Sequence, residues 1–249
     1  MGFHSLPRSE LQLKVQAHIK NAVESFGYDN TMNSFAKYAS RESISNFLVR
    51  DKIFRKILKI QGSIIEFGVY AGRGLMTWAQ LSSVYEPIGG MSREIFGFDT
   101  FQGFPNVDEI DNKNTLGIEH SIGNLHVKGI LGDINTCIEL YQKNLLFSQN
   151  KKVHLIKGDF LETSDRFFID YPHVIPALLY LDFDLYAPTR KALEVFYKKM
   201  PKGSIIAFDE ANDALWPGET QAIYEVLDIK KIKLQKIGMD TKLCYTVIE

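Results

Sequence analysis

The sequence predicts an α/β fold in which a largely parallel sheet follows a helical N-terminal extension. Three observations predict this fold. Apolar residues recur at helical spacing over the first 60 residues, short apolar runs alternate with helical patterns from residue 63 onward, and acidic residues stand where several of those runs end. Alternating strand and helix patterns are typical of βα units in a parallel sheet. The 249 residues suffice for one such domain and an extension.

The N-terminal extension, residues 1–61, is expected to hold two helices. Apolar side chains follow the helical period over 9–26 and again over 44–58. Gly27 offers a stop for the first helix, and Ser40 is a candidate N-cap for the second. Residues 28–39 between them are polar and show no strong period. Such an extension could close over a site as a lid or mediate self-association, and we expect a homo-oligomer.

The second predicted domain, residues 62–249, carries the sheet. Five strands are expected, at 63–69, 94–99, 152–157, 177–182 and 204–209. Helical patterns lie at 75–81, 134–145, 189–197 and 221–227. Two final apolar runs, 232–237 and 243–248, predict a terminal strand pair around Gly238.

Composition and charge exclude several classes of protein. Lys and Arg number 29 against 30 Asp and Glu, so the chain lacks the basic excess of a non-specific nucleic-acid binder. No stretch approaches the roughly 20 apolar residues of a membrane span, and no apolar run follows the first residues as in a signal peptide. Cys137 and Cys244 form no disulfide framework. We therefore expect a cytoplasmic protein with a small-molecule partner, and neither nucleic acid nor membrane.

Acidic residues mark the ends of four predicted strands: Asp99, Asp159, Asp182, and Asp209 with Glu210. The carboxyl ends of parallel strands meet at one edge of an open sheet, where ligands bind at the topological switch point. Each carboxylate alone could be a helix cap, but four positions on one edge favour a site.

The turn after the first strand is rich in glycine, at Gly68, Gly72 and Gly74. Glycines there allow a ligand to approach the backbone, and the amides at a helix start favour an anionic group. The spacing matches neither the dinucleotide pattern G-x-G-x-x-G nor a Walker loop. Glu66 could accept a hydrogen bond from an ammonium, and Asp99 from both hydroxyls of a ribose. S-adenosylmethionine has an ammonium at one end and a ribose at the other, so it suits both residues and is preferred to NAD.

Four segments together resemble the macrocin O-methyltransferase family: EFGVYAGR at 66–73, GFDTFQGFP at 97–105, DFDLYAPT at 182–189, and FDE at 208–210 with WPGE at 216–219. The resemblance covers roughly residues 40–235. It implies a class I methyltransferase fold, a Rossmann-like sheet of seven strands with the last antiparallel, and an S-adenosylmethionine-dependent O-methyltransferase acting on a sugar hydroxyl, nucleotide-linked or on a glycosylated natural product. The expected cofactor-binding residues are Glu66, Gly68, Val69, Tyr70, Gly72, Asp99, Thr100, Phe101 and Asp159.

A metal site is expected where Asp182, Asp209 and Glu210 end neighbouring strands. Three converging carboxylates would repel one another and raise one another's pKa, and a hard divalent cation relieves that repulsion. Oxygen ligands suit Mg²⁺ or Ca²⁺ better than zinc. The family resemblance implies Mg²⁺ held by these three residues. Asp184 is a weaker candidate, because strand alternation would turn it away from Asp182 unless the strand has already ended there.

Methyl transfer to an alcohol needs an oxygen held in line with the methyl group and a route for its proton. Asp182 is the first candidate base, and His126, with His120 beside it, is the competing choice. Both histidines fall in the segment 106–132, which is long enough to be a functional loop or lid. Trp216 and Glu219 offer an aromatic face and a carboxylate for a sugar.

The sequence leaves two other functions open. An NAD-dependent oxidoreductase or epimerase would use a similar sheet, but the sequence lacks G-x-G-x-x-G and a Tyr-x-x-x-Lys pair. The other function is that of a non-catalytic protein that binds S-adenosylmethionine. The presence of all three carboxylates, Asp182, Asp209 and Glu210, argues against it. The methyl acceptor itself could also be a phenol or another diol, since fold does not fix function.

Overall fold

The computed structural model describes residues 10–86, 93–145, 149–239 and 242–249. Among these residues, no helix is both long enough and apolar enough to cross a membrane. The expectation that no signal peptide is present concerns in part residues 1–9, which lie outside the described ranges.

The N-terminal region is helical, as predicted. It comprises α1 (Glu10–Phe26), α2 (Tyr28–Asn33), a 3₁₀ turn (Phe35–Lys37) and α3 (Arg41–Ile57). Ser40 caps α3, since its side chain accepts a hydrogen bond from the Ser43 amide at 3.0 Å. The polar segment 28–39, for which the sequence predicts no element, forms α2 because its own side chains bond the backbone. Asn30 donates to the Phe26 carbonyl and Thr31 to the Gly27 carbonyl.

The sheet has seven strands: β1 (Ser63–Phe67), β2 (Ile95–Asp99), β3 (Val153–Lys157), β4 (Pro176–Leu181), β5 (Ile205–Phe208), β6 (Gln235–Lys236) and β7 (Cys244–Val247). Their order is β3-β2-β1-β4-β5-β7-β6, and β7 runs antiparallel to both of its neighbours. This topology confirms the Rossmann-like methyltransferase sheet that the family resemblance implies.

Five longer helices connect and cover the strands: α4 (Arg73–Tyr85), α5 (Ile130–Lys143), α6 (Phe160–Asp170), α7 (Tyr186–Phe196) and α8 (Pro217–Val226). The sequence pattern predicts no helix at the position of α6. Asp159 begins this helix, because its side chain accepts the Leu161 amide, and Phe160 and Phe167 bury the apolar face.

Two apolar cores lie on opposite faces of the sheet because side chains alternate along each strand. Ile64 of β1 packs with α3, α4 and α5, whereas Ile65 packs with α6, α7 and α8. The helix α3 thus belongs to the packing of the sheet, although the sequence places it in the extension. The proposed boundary at residue 61 remains a prediction.

The switch point of the sheet lies between β1 and β4, because the chain leaves β1 in one direction and β4 in the other. Gly68 follows β1 with φ of 83°. A Cβ at this position would collide with the carbonyl oxygen of Asp182. Glycine therefore allows the chain segments after β1 and β4 to lie side by side at the edge where ligands are expected.

Candidate active site

A cleft of about 1100 Å³ opens at the carboxyl ends of β1, β2, β4 and β5. Eleven predicted site residues line it: Gly68, Tyr70, Asp99, Thr100, Phe101, His126, Asp159, Asp182, Asp209, Glu210 and Trp216. Four do not: Glu66, Val69, Gly72 and Glu219. The parallel topology thus brings most of the predicted residues to one place.

Asp99 at the end of β2 organises the two loops beside the switch point. Its Oδ2 accepts the Tyr70 amide at 2.7 Å, and its Oδ1 accepts the Phe101 amide at 2.6 Å. Burial raises the pKa of Asp99, and these backbone hydrogen bonds oppose the rise. Since a carboxylate oxygen has more than one acceptor site, each oxygen can still accept a hydroxyl from a ligand in the cleft.

The loop after β2 is a tight turn held by its own side chains. Thr100 Oγ1 donates to the Gly103 carbonyl at 2.6 Å and accepts the Gln102 amide. Phe101 has φ of 56°, and with 8% exposure it packs in the core and also lines the cleft. Asp159 lines the cleft as well, in addition to capping α6.

Glu66 lies beneath the glycine turn, where its carboxylate is buried. Burial raises its pKa to about 8, while the nearby Arg50 guanidinium and the Trp78 indole lower it. The Trp78 indole nitrogen makes no hydrogen bond of good geometry, and Oε2 of Glu66 has no hydrogen-bond partner. Any side chain at Gly74 would collide with Oε1 of Glu66. The predicted contact of Glu66 with a cofactor ammonium remains a prediction.

Carboxylates from β4 and β5 form the other wall of the cleft. Asp182 and Asp209 follow the last residues of these strands, and their backbones stay in the sheet pattern through hydrogen bonds to Phe67 and Leu181. Burial, then the charges of Asp209 and Asp184, raise the pKa of Asp182 well above its usual range. The positive charge of Arg50 opposes this rise.

Asp184 lies in the same cleft, contrary to the expectation from strand alternation. The strand β4 ends at Leu181, and Asp184 adopts φ of 63°, so the alternation does not extend to it. Burial and the charge of Asp209 raise its pKa to about 8.

Glu210 points to Lys242 instead of joining Asp182 and Asp209. The Lys242 ammonium lies 3.1 Å from Glu210 Oε2 and 2.8 Å from Asp213 Oδ2. Burial raises the pKa of Glu210 to about 9, with Asp209 adding to the rise and Lys242 opposing it. Over the described ranges, no three Asp, Glu, His or Cys side chains form a ready-made metal site. The expected convergence of Asp182, Asp209 and Glu210 is thus not present, although oxygen donors of this kind suit a hard cation.

The model of the Macrocin-O-methyltransferase (TylF) family matches residues 46–245, about four fifths of the chain. This chain belongs to the macrocin O-methyltransferase family. It is therefore an S-adenosylmethionine-dependent O-methyltransferase, which decides against the NAD-dependent and non-catalytic alternatives.

Solved structures of two O-methyltransferases are similar over most of their length. A crystal structure of CalS11, a calicheamicin methyltransferase, shares 29% identity over 99% of this chain and 96% of that chain, with a TM-score of 0.85. An apo structure of CalS11, named a TDP-rhamnose 3'-O-methyltransferase of calicheamicin biosynthesis, gives 27% identity, 99% coverage of both chains and a TM-score of 0.79. The O-methyltransferase NovP, at 20% identity and a TM-score of 0.62 over 82% of this chain and 80% of that one, shares the fold. No curated protein matches the chain.

In this methyltransferase, the segment after β2 is anchored over the cleft by a small apolar cluster. Trp216, Phe104, Leu185 and Leu215 form it. The His120 ring stacks on Trp216 with centroids 4.0 Å apart, and its Nε2 lies 3.0 Å from the Leu215 carbonyl oxygen. His120 is thus engaged in holding the loop. His126 is exposed at the rim of the cleft.

Trp216 and Glu219, the predicted sugar-binding pair, occupy different positions. Trp216 lines the cleft but is only 8% exposed, because it packs on Phe104 and His120. Glu219 is completely buried, and its Oε1 accepts the Glu210 amide at 3.0 Å. Glu219 therefore fixes the backbone of Glu210 and faces no cleft space, so the predicted contact with a sugar is unsupported by this geometry.

Several residues of the site escaped the sequence analysis. Asp111 is almost fully buried and joins the loop to α7, since its Oδ1 accepts the Tyr186 amide at 2.8 Å. Lys242, from the turn before β7, pairs with Glu210 across 32 positions of sequence. Arg50 and Tyr180 lie beneath the acidic wall. Arg50 stands at helical spacing from the apolar residues Ile53, Phe54 and Ile57, and an arginine in such an apolar stripe is a signal that the sequence did offer.

Proposed function

We propose that this methyltransferase transfers the methyl group of S-adenosylmethionine to a hydroxyl of a sugar, nucleotide-linked or part of a glycosylated natural product, with the help of a divalent cation. The observation that carries the proposal is the shared cleft: the Asp99 loops form one wall, and Asp182, Asp184 and Asp209 form the other. The similarity to CalS11 over nearly the whole of both chains supports a sugar acceptor.

The cofactor would lie along the first wall. Asp99 would accept the ribose hydroxyls, and the turn at Gly68 would let the backbone approach the ligand, which is supported by the position of both residues in the lining of the cleft. Tyr70 and Phe101 border the same space and would flank the nucleoside. Glu66, beneath the glycine turn, would offset the positive charge of the ammonium group at the amino-acid end of the cofactor.

A divalent cation would be held by Asp182, Asp209 and Glu210. Such a cation supplies Lewis-acid chemistry, because it lowers the pKa of the acceptor hydroxyl that it binds. Carboxylate oxygens suit a hard cation, and burial together with neighbouring carboxylate charge raises the pKa of both Asp182 and Glu210, which supports the proposal. Glu210 would have to exchange Lys242 for the cation.

The acceptor proton needs a base within hydrogen-bond reach. Asp182 is our first choice because it lies beside Asp209 in the wall of the cleft that the carboxylates form. Asp184 lies in the same wall. His126 is the competing choice at the rim. With its proton moved to the carboxylate, the acceptor oxygen would bond to the methyl group while the bond from that methyl group to the cofactor sulfur breaks, and S-adenosylhomocysteine would leave.

The N-terminal helices contribute to the cleft and, we propose, to a homo-oligomer. Glu42 and Asn46 of α3 line the cleft, which supports the role of a lid. Large apolar side chains on these helices are exposed, among them Phe26 at 62% and Phe35 at 62%. Light scattering on wild type and on Phe35→Glu tests self-association. Both cysteines are free, which fits the reducing cytoplasm as location.

Calorimetry tests the proposal directly. S-adenosylmethionine and S-adenosylhomocysteine should bind, and NAD should not. Turnover should then be measured on nucleotide-linked deoxysugars, glycosides and catechols, each before and after chelation. Transfer to a catechol alone would refute the sugar acceptor, and full activity after exhaustive chelation would refute the role of the cation.

A further inference from the structure

Asp111 is a buried carboxylate in the long loop, residues 100–129, that connects β2 to α5. It is 1% exposed, and its Oδ2 accepts the Asp108 amide at 3.0 Å within the loop. Its Oδ1 accepts the Tyr186 amide at 2.8 Å, 75 positions along the chain. Each oxygen thus holds a backbone N–H, one from the loop and one from the first residue of α7.

The bond to Tyr186 supplies α7 with a cap that the adjoining sequence does not provide. The N-cap residue of this helix is Leu185, whose side chain has no acceptor atom. A carboxylate at a helix N-terminus is favourable, because it accepts an amide that has no partner within the helix and interacts with the helix dipole. Leu185 instead packs with Phe104 and Trp216 in the apolar cluster. The start of α7 therefore takes its cap from the long loop.

The start of α8 leaves room for this contact. A Cβ at Gly218 would collide with Oδ1 of Asp111 and with the amide nitrogen of Tyr186. Glycine within a helix is less favourable than alanine by about 0.5–1 kcal/mol, and at this position its lack of a side chain provides the space for the carboxylate. The long loop, α7 and α8 thus meet at Asp111.

The capped end of α7 directly follows the carboxylate wall of the cleft. Asp184 lines the cleft two residues before Tyr186 and has φ of 63°. A left-handed conformation is costly for a residue other than glycine, and it persists where surrounding contacts fix the backbone. Here those contacts are the packing of Leu185 and the bond from Tyr186 to Asp111. The long loop lines the same cleft, so one carboxylate joins two parts of its lining.

We propose that Asp111 is a positioning residue that sets the shape of the acceptor end of the cleft, because it fixes the long loop against the backbone that carries Asp182 and Asp184. The inference rests on the proposed function, in which the acceptor lies against the carboxylate wall. The cofactor end should not depend on Asp111, since the turn after Asp99 is held by its own hydrogen bonds. Loss of the Asp111 contacts should therefore weaken acceptor binding and leave cofactor binding intact.

The test compares Asp111→Asn with Asp228→Asn. Asp228 also accepts a backbone amide, that of Lys230 at 3.1 Å, but it does not line the cleft. An asparagine at position 111 would turn its own N–H toward one of the two amides that the carboxylate accepts. The KM for a nucleotide-linked deoxysugar should rise roughly 10-fold in Asp111→Asn, while the calorimetric affinity for S-adenosylhomocysteine stays within about twofold of wild type. Asp228→Asn should change neither quantity.

Limited trypsin digestion tests the long loop itself and needs no acceptor. Lys113 is exposed within the loop, and Lys231 is exposed outside it, after α8. Cleavage after Lys113 should be at least about fivefold faster in Asp111→Asn than in wild type, with cleavage after Lys231 unchanged. Gly218→Ala displaces the carboxylate from the side of α8 and should change the KM and the cleavage in the same direction.

A wild-type KM in Asp111→Asn, with the fold intact by circular dichroism, would overturn the inference. A loss of S-adenosylhomocysteine affinity as large as the rise in KM would also overturn it, as would unchanged cleavage after Lys113. If wild type methylates a catechol and no sugar, the proposed sugar acceptor fails, and the same KM comparison with the catechol then decides the role of Asp111.

Discussion

Lys242 holds the side chain of Glu210 through an ion pair of 3.1 Å, at the carboxylate that the family resemblance assigns to a cation. The ammonium is half-exposed, so it can leave without a large desolvation cost. A lysine in this place offsets part of the negative charge of the acidic wall. Metal binding at Glu210 would therefore compete with Lys242.

Lys242→Gln should bind Mn²⁺ more tightly than wild type, by up to about fivefold, because the competing ammonium is gone while the side-chain length is nearly kept. Electron paramagnetic resonance titration measures the affinity. Lys231→Gln, which removes an exposed lysine paired with Asp228, is the matched control and should leave the affinity unchanged. Weaker binding in Lys242→Gln would show that the lysine supports the site instead of competing.

Asp99→Asn should weaken S-adenosylhomocysteine binding on the order of 10-fold to 100-fold. The carboxylate accepts amides of Tyr70 and Phe101 on its two oxygens, and an asparagine would place an N–H against one of these donors. Calorimetry gives the affinity. Asp170→Asn at the exposed end of α6 serves as control. An unchanged affinity for Asp99→Asn would remove this residue from the cofactor site.

Much of the sheet was predictable from the sequence because its strands are apolar on both faces and end in polar residues. Asp99 is an example: it closes an apolar run, and the structure places it at the sheet edge beside Gly68. A parallel sheet imposes this proximity whatever the loops do.

The remaining parts of the site depend on contacts that sequence spacing does not encode. Asp184 lies beyond the end of β4 and has a left-handed backbone conformation, and it lines the cleft. Strand alternation would turn this side chain away from the cleft. Lys242 meets Glu210 only because β7 returns antiparallel beside β5. Asp159 ends an apolar run and caps α6, so the same position suits a ligand-binding carboxylate and a helix start, and the sequence pattern alone does not distinguish the two.

Gly74→Ala should destabilise the protein by about 1–3 kcal/mol, because the added methyl group collides with the buried Glu66 carboxylate and approaches Arg50. Urea unfolding measures the effect. Gly132→Ala in α5 is the control, since the space around Gly132 is open and alanine favours a helix by about 0.5–1 kcal/mol over glycine. Equal stabilities of the two variants would contradict the close packing of Gly74 on Glu66.

Glu66→Gln should gain stability over wild type as the pH rises from 5 toward 8. The ordinary pKa of a glutamate is about 4.5 and burial raises that of Glu66 to about 8, so the folded state binds more protons in this interval and loses stability as the pH increases. Glutamine does not titrate and escapes that loss. Melting temperatures between pH 5 and 8 should show a widening gap, whereas the exposed Glu139→Gln should give a constant one. A gap that narrows with pH would refute the raised pKa.

Asp182→Asn should lower kcat at least about 100-fold, the usual contribution of a general base, while His126→Asn should leave kcat within about threefold of wild type. Asp182 lies beside Asp209 in the carboxylate wall of the cleft, but His126 is exposed at the rim of the cleft. Single-turnover methyl transfer at saturating S-adenosylmethionine measures the chemical step. Asp184→Asn, measured in parallel, separates the two neighbouring carboxylates, because loss in this variant alone would move the base two residues along the chain. A 100-fold loss in His126→Asn with an active Asp182→Asn would instead identify His126 as the base. This residue lies on the loop that the contact between His120 and Trp216 holds over the cleft.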